Sequence, residues 1–338
     1  MSKEERQRHA SEISSMYVPG LLAADGKTMQ EIADLPIQDI ITVYNNAIWA
    51  AEKGIYPDLK PDMPAVETVR KTVLKRIRDA DAMWTVTDRT TNAPFIDDSD
   101  GAWLFSEKEI ADECVDYIRQ QYRTTLEVTE IPGGEIEEFL GLTAYARGAG
   151  SFLVDNGYHH LAIRAEELAV RPDFSALTSA ENPVMNPVLF RSIAKFQQEM
   201  SWNANYKGKA EKLRAFEADM ISAFCKARFI VPIKASSEPG TTNTIISIPS
   251  LIREDGRRGT PVFTDWKELS AAYPCSEWSG WVWTIDDLLS APDDTIVVNC
   301  RSLSFVVTKN LLKQMKEIDK TELQNRQKEN GNGKASAQ

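Results

Sequence analysis

Three histidines, four cysteines, a run of aspartates and a cluster of tryptophans are the residues from which this chain could build a site. His159 and His160 are adjacent in YHHLAI. On a strand, neighbouring side chains point to opposite faces, so the pair cannot share one metal ion. His9 lies in the charged N-terminal stretch MSKEERQRHASE and is expected to be mobile, which leaves no histidine to activate a nucleophile. Cys114, Cys225, Cys275 and Cys300 form no C-x-x-C pair. They read as reduced, mostly buried thiols in a reducing compartment. Asp97-Asp98-Ser99-Asp100-Gly101 begins like a calcium loop, but the alternation of oxygen ligands fails at Ser99-Asp100, and Lys108 stands where the closing Glu belongs. A polar turn between strands is the expectation. Glu137-Glu138 and Glu166-Glu167 read as solvated helix faces, and no glycine-rich phosphate loop or nucleophile elbow occurs. No catalytic, cofactor-binding or metal-ligating residue is therefore expected.

The tryptophans remain. Trp278, Trp281 and Trp283, with Trp266 upstream, crowd one short stretch. Trp281 and Trp283 would share a strand face, with Val282 on the other. Core or inter-domain packing is the plainer reading. The functional one is a partner-binding patch, because tryptophan is enriched at interface hot spots, and the three are the candidate partner-binding residues. Stacking on single-stranded nucleic acid is opposed by Asp286, Asp287, Asp293 and Asp294 nearby.

The elements that must position these residues alternate along the chain. The spacing of Ile40, Ile41, Tyr44 and Ile48 predicts a helix, and Val66, Val69, Val73 and Ile77 predict a second. The second carries Arg70, Lys71, Lys75 and Arg76 off its apolar stripe, which reads as a solvated face. Strands are expected at MWTVTD (from Met83), AWLF (Ala102 to Phe105), TTLEVTEI, SFLV and YHHLAI, the last two joined by an Asn156-Gly157 hairpin turn. Ser106 and Glu109 form the S-x-x-E pattern of a helix capping box. After a Ser/Ala/Asn/Pro-rich linker at Asp173 to Pro187 come two helices. Strands follow at FIVPIK, TIISI, PVF, the Trp-rich stretch, TIVVN and SFVV, with a final helix from Lys309 to about Asp319.

The two halves match in order. Leu104-Phe105-Ser106-Glu107 parallels Val262-Phe263-Thr264-Asp265, and Val154 through Leu168 aligns without gaps onto Val298 through Leu312, placing Asp155 on Asn299. Tandem duplication is the favoured account. The fold class is α/β in the α+β sense: two mixed-sheet units, each covered by helices. Expected boundaries are a helical N-terminal extension at 1–64, a first unit at 65–172, a linker and helix at 173–210, a second unit at 211–318 and a disordered tail at 319–338.

Pro232 in FIVPIK, Pro261-Val262-Phe263-Thr264 and Val298-Asn299 in the second half resemble the SseB N-terminal domain family. The resemblance covers roughly Lys212 to Met315 and, more faintly, Val66 to Leu168. Cys300 stands where that family often has proline. The resemblance implies a bacterial, cytoplasmic protein, and it carries over no active site, because the family has no established catalytic residues. With 50 acidic against 39 basic side chains and a net charge of −11, a broad nucleic-acid surface is disfavoured. No segment has the ~20 apolar residues of a membrane span. The expectation is a non-enzymatic cytoplasmic protein acting in a regulatory or adaptor role on an unidentified protein partner, with no cofactor, nucleic acid or membrane. The alternative is a small-ligand (amino-acid) sensor or an unrecognised hydrolase with a pocket between the two units.

Overall fold

The computed structural model describes residues 3–23, 25–171, 183–237, 244–253 and 255–335. It begins with α1 (Lys3–Tyr17), α2 (Gly20–Ala23), α3 (Gly26–Asp34), α4 (Ile37–Glu52) and α5 (Pro64–Arg78). Asp25 caps α3 by accepting the Thr28 N–H at 2.8 Å. Pro64 opens α5 in the first turn, where its missing N–H costs nothing. The apolar stripes of α4 and α5 are buried as their spacing predicts. Ile13, Leu21, Ile32 and Ile40 of the leading helices share one core with Val69, Leu104 and Phe152, so these helices pack into the first unit. The basic face of α5 is only partly solvated. Arg70 grips Glu167 with two bonds of 2.7 and 3.2 Å, and Arg76 donates to the Ala33 carbonyl, while Lys71 and Lys75 stay exposed.

The first unit continues with β1 (Ala82–Asp88), β2 (Ala93–Pro94), β3 (Gly101–Phe105), α6 (Lys108–Tyr122), β4 (Leu126–Pro132), α7 (Ile136–Tyr145), β5 (Ser151–Val154), β6 (Leu161–Arg164) and α8 (Ala165–Leu168). β1 is antiparallel to β4 on one side and to β2 and β3 on the other; β3 runs parallel to β5, and β5 antiparallel to β6. β3 is buried throughout because the sheet is covered twice. Ala102 and Leu104 face the core shared with α4 and α5, whereas Trp103 and Phe105 face the one under α6.

The second unit comprises α9 (Pro187–Ser201), α10 (Lys209–Lys226), β7 (Phe229–Ser237), β8 (Thr244–Ser247), β9 (Leu251–Ile252), β10 (Arg258–Val262), α11 (Trp266–Ala272), β11 (Ser279–Trp283), α12 (Ile285–Leu289), β12 (Thr295–Val298), β13 (Phe305–Thr308) and α13 (Lys309–Ala335). β7 is antiparallel to β8 and β11, β10 is parallel to β12, and β12 is antiparallel to β13. Two backbone bonds between Ile230 and Phe263, at 2.9 and 2.8 Å, tie the ladders together. The order β11-β7-β10-β12-β13 thus parallels β4-β1-β3-β5-β6 of the first unit, but here a three-stranded and a four-stranded sheet meet at this bridge, and β10 also pairs with β9.

Pro232 is tolerated in this central strand for a register reason. Alternate residues of an antiparallel strand turn their backbone groups to opposite sides. Ile230 turns toward Phe263, so Phe229 and Val231 turn toward Trp283 and Trp281. Pro232 then turns its absent N–H into the gap before the β8 ladder, which begins at Lys234.

Several local expectations are corrected. His159 and His160 are not on a strand: β6 starts at Leu161, and a loop from Asp155 to His160 replaces the two-residue hairpin, because Asp155 and Gly157 take positive φ of 53° and 94°. The Ser106–Glu109 capping box does not form. α6 begins after Glu107 with no side-chain cap, since Ser106 is engaged elsewhere. His9 is held within α1, its Nε2 2.9 Å from Asp39 Oδ1. Cys275 is exposed and the other three thiols are half-buried. The last helix runs past Asp319 to Ala335, through TELQNRQKEN, which is rich in helix-favouring side chains and free of Gly and Pro. The Ser/Ala/Asn/Pro-rich linker falls mostly at 172–182, outside the described residues.

Candidate functional site

Among the described residues β11 is an edge strand, hydrogen-bonded to β7 along one side only. By the alternation that turns Trp281 and Trp283 toward β7, the N–H and C=O groups of Gly280 and Val282 turn outward. The sequence grouped three tryptophans here, and the structure separates them. Trp281 is 42% exposed. Trp283 packs against the core under α10 and α12. Trp278 stands in the turn before β11, edge-on to Tyr273 at 4.9 Å and beneath the Lys234 ammonium at 5.7 Å. Trp266, 38% exposed, closes over Gly280, where a Cβ would lie 2.8 Å from the indole. The exposed surface is thus Trp281, Trp266 and Val282 around an open strand edge.

Sequence reasoning missed a second feature: a buried corner in each unit where the parallel strands end. Asp155 is fully buried with φ +53°; its N–H donates to the Leu104 carbonyl at 2.9 Å, and its carboxylate accepts the Ser106 N–H at 2.7 Å and Oγ–H at 2.8 Å. Asn299 repeats this with φ +47°, donating its N–H to Val262 O at 3.0 Å and accepting the Thr264 N–H at 3.0 Å. Its Nδ2 also donates to Thr264 Oγ1 at 2.9 Å. Burial pushes the Asp155 carboxyl up to about 6, against the pull of the two Ser106 bonds. The gapless alignment of Asp155 with Asn299 was the available signal.

The units meet through apolar packing, with Trp202 against Phe95 and Tyr122, and through charge. The Asp97 carboxylate folds its turn by accepting the Ser99, Gly101 and Trp103 Nε1 hydrogens. The neighbouring Asp98 and Asp100 reach the helices of the second unit: Lys212 lies 2.8 Å from Asp98 and 2.9 Å from buried Glu199, and Asp100 pairs with Lys195 at 2.8 Å and Arg191 at 3.1 Å. Burial disfavours the Lys212 charge, yet Asp98 and Glu199 hold it above the ordinary lysine value. A cavity of about 470 Å³ opens beside this network. On the other side of the contact, Arg147 of the first unit lies in the field of Glu268 and Asp265 at the start of α11. Burial raises the Glu268 carboxyl, and Arg147 opposes that rise. Among the described residues no group of three or more His, Cys, Asp or Glu side chains could hold a metal ion, and no helix is long and apolar enough to cross a membrane.

Residues 209–314, from the first residue of α10 into α13, match the family described as SseB protein N-terminal domain. No curated protein and no solved structure matches the chain.

Proposed function

From the premise that its second unit is SseB-like, we propose that this chain is a non-enzymatic cytoplasmic protein of bacterial type, built by duplication of one unit, that acts as an adaptor or regulator by binding a protein partner. The observation that carries the reading is the open edge of β11 flanked by exposed Trp281. An extended segment of the partner would add as a further strand, its main chain bonding to Gly280 and Val282 and its side chains resting on the indole. The preserved order of pairings and the shared Asp155/Asn299 corner support the duplication. The test is quantitative affinity capture with wild type, Trp281→Ala and Val282→Pro. The proline removes an outward N–H without touching the β7 ladder, so both variants should fold and lose the same partner by at least roughly tenfold. Undiminished capture by both would overturn the reading.

The alternative, a small-ligand sensor or unrecognised hydrolase with its pocket between the units, rests on the cavity beside Asp100 and Lys195. Its charges already neutralise one another across the contact, so a ligand would have to displace those pairs, and protein binding is preferred.

A further inference from the structure

The C-terminal ends of parallel strands open crevices that suit ligands. In the first unit, where β3 and β5 end, α1 and α6 wall a cavity of about 530 Å³. Four carboxylates line it, those of Asp39, Glu107, Glu109 and Glu113, against the single guanidinium of Arg6; His9 also lines it and is bonded to Asp39. Gln38, only 7% exposed, lines the same cavity. Its Nε2 donates to the His159 carbonyl at 3.3 Å, which settles the orientation of the amide and leaves Oε1 buried with no hydrogen-bond partner. An unpaired buried acceptor is costly, and a ligand N–H reaching it through a shift of the Gln38 side chain would relieve it.

Two further observations say what kind of ligand fits. The Arg6 guanidinium pairs with Glu113 and lies 5.7 Å from the centre of the Tyr158 ring, so the crevice already holds one organic cation by charge and by its aromatic face. The corresponding helix start in the second unit, with Asp265 and Glu268, lies within electrostatic reach of the Arg147 side chain. The carboxylates of the first unit are spread around the wall, and among the described residues no metal-binding cluster occurs, so an extended cation fits better than a bare metal ion. A neighbouring cavity of about 620 Å³ shares Arg6, Glu113 and Tyr158 and continues to Tyr117 and His159, which gives room for a chain.

We propose that this crevice binds a small organic cation, an alkylammonium or guanidinium compound of the polyamine class. Isothermal titration of the full chain with agmatine, putrescine and spermidine, with neutral 1,5-pentanediol as control, tests it. One saturable site is expected for at least one amine and none for the diol, with affinity falling as salt rises. Glu107→Gln, at an exposed position, should weaken binding roughly tenfold, a charge-assisted contact being lost. Arg6→Ala, which vacates the resident guanidinium, should strengthen it by a similar factor, a sign that mere loss of structure would not produce. Absence of saturable heat with all three amines, or affinities unmoved by both substitutions, would overturn the proposal.

Discussion

Asp155 and Asn299 occupy the same corner of the two units, with the same left-handed backbone and the same hydroxyl-bearing donor, yet one can ionise and the other cannot. What the corner needs is an acceptor for the backbone N–H at the start of the following helix segment; the charge is an addition peculiar to the first unit. The strand edges differ in the same spirit. Met83 pairs with Ile131 in the first unit, and Phe229 with Trp283 in the second, so the exposed Trp281 falls where the first unit has exposed Thr129. The edge of β4 is polar at this position and that of β11 apolar.

The largest effect is expected from exchanging the corners. Asn299→Asp places a carboxylate in a buried site beside Asp265 and removes the donor to Thr264 Oγ1. It should cost about 3 kcal/mol or more at neutral pH, measured by urea unfolding. A neutral result would mean the second corner is not sealed. The converse, Asp155→Asn, should flatten a slope. Because the folded chain holds the Asp155 proton more tightly than the unfolded one, its contribution is greatest below about pH 4 and is lost as pH rises through about 6. A carboxyl raised that far above its ordinary value carries about 3 kcal/mol of pH-dependent stability, so the difference between wild type and Asp155→Asn, followed from pH 4 to 7, should change by that order. A constant difference would show that the corner is wetter than the structure has it.

The edges offer a smaller contrast. Trp283→Ala should lose about 2–3 kcal/mol as a truncated core residue, and Trp281→Ala about 1 kcal/mol, since its ring is only partly covered. Equal losses would return Trp281 to a packing role. Smallest is the pair of arginines. Arg147→Ala removes one of the positive charges near half-buried Glu268, which keeps its Ser302 bond, and should cost about 1 kcal/mol, whereas Arg6→Ala breaks a pair whose carboxylate is largely exposed and should cost less than that. Thermal melts of the two variants side by side would decide it.

Much of the fold is legible in the residues. The stripes of α4 and α5 and the buried run of β3 follow from local sequence patterns, and the PVFT and VVN segments point to the SseB-like unit that the family match covers. The sites are less legible. Ser106 with Glu109 has the spacing of a capping box, but Asp155, 49 residues away in sequence, captures the hydroxyl. His9 looks solvated until α4 presents Asp39 to it. The crevice of the first unit is assembled from α1, α4, α6 and the loop before β6, so no short window contains it.

Periodicity and turn chemistry act between near neighbours, so the chain on its own could specify which segments coil and which extend. Which indole is left in solvent, which acid loses its water and which arginine fills which wall depend on surfaces from distant segments meeting. Desolvation and pairing at those meetings exist only once the whole chain has packed.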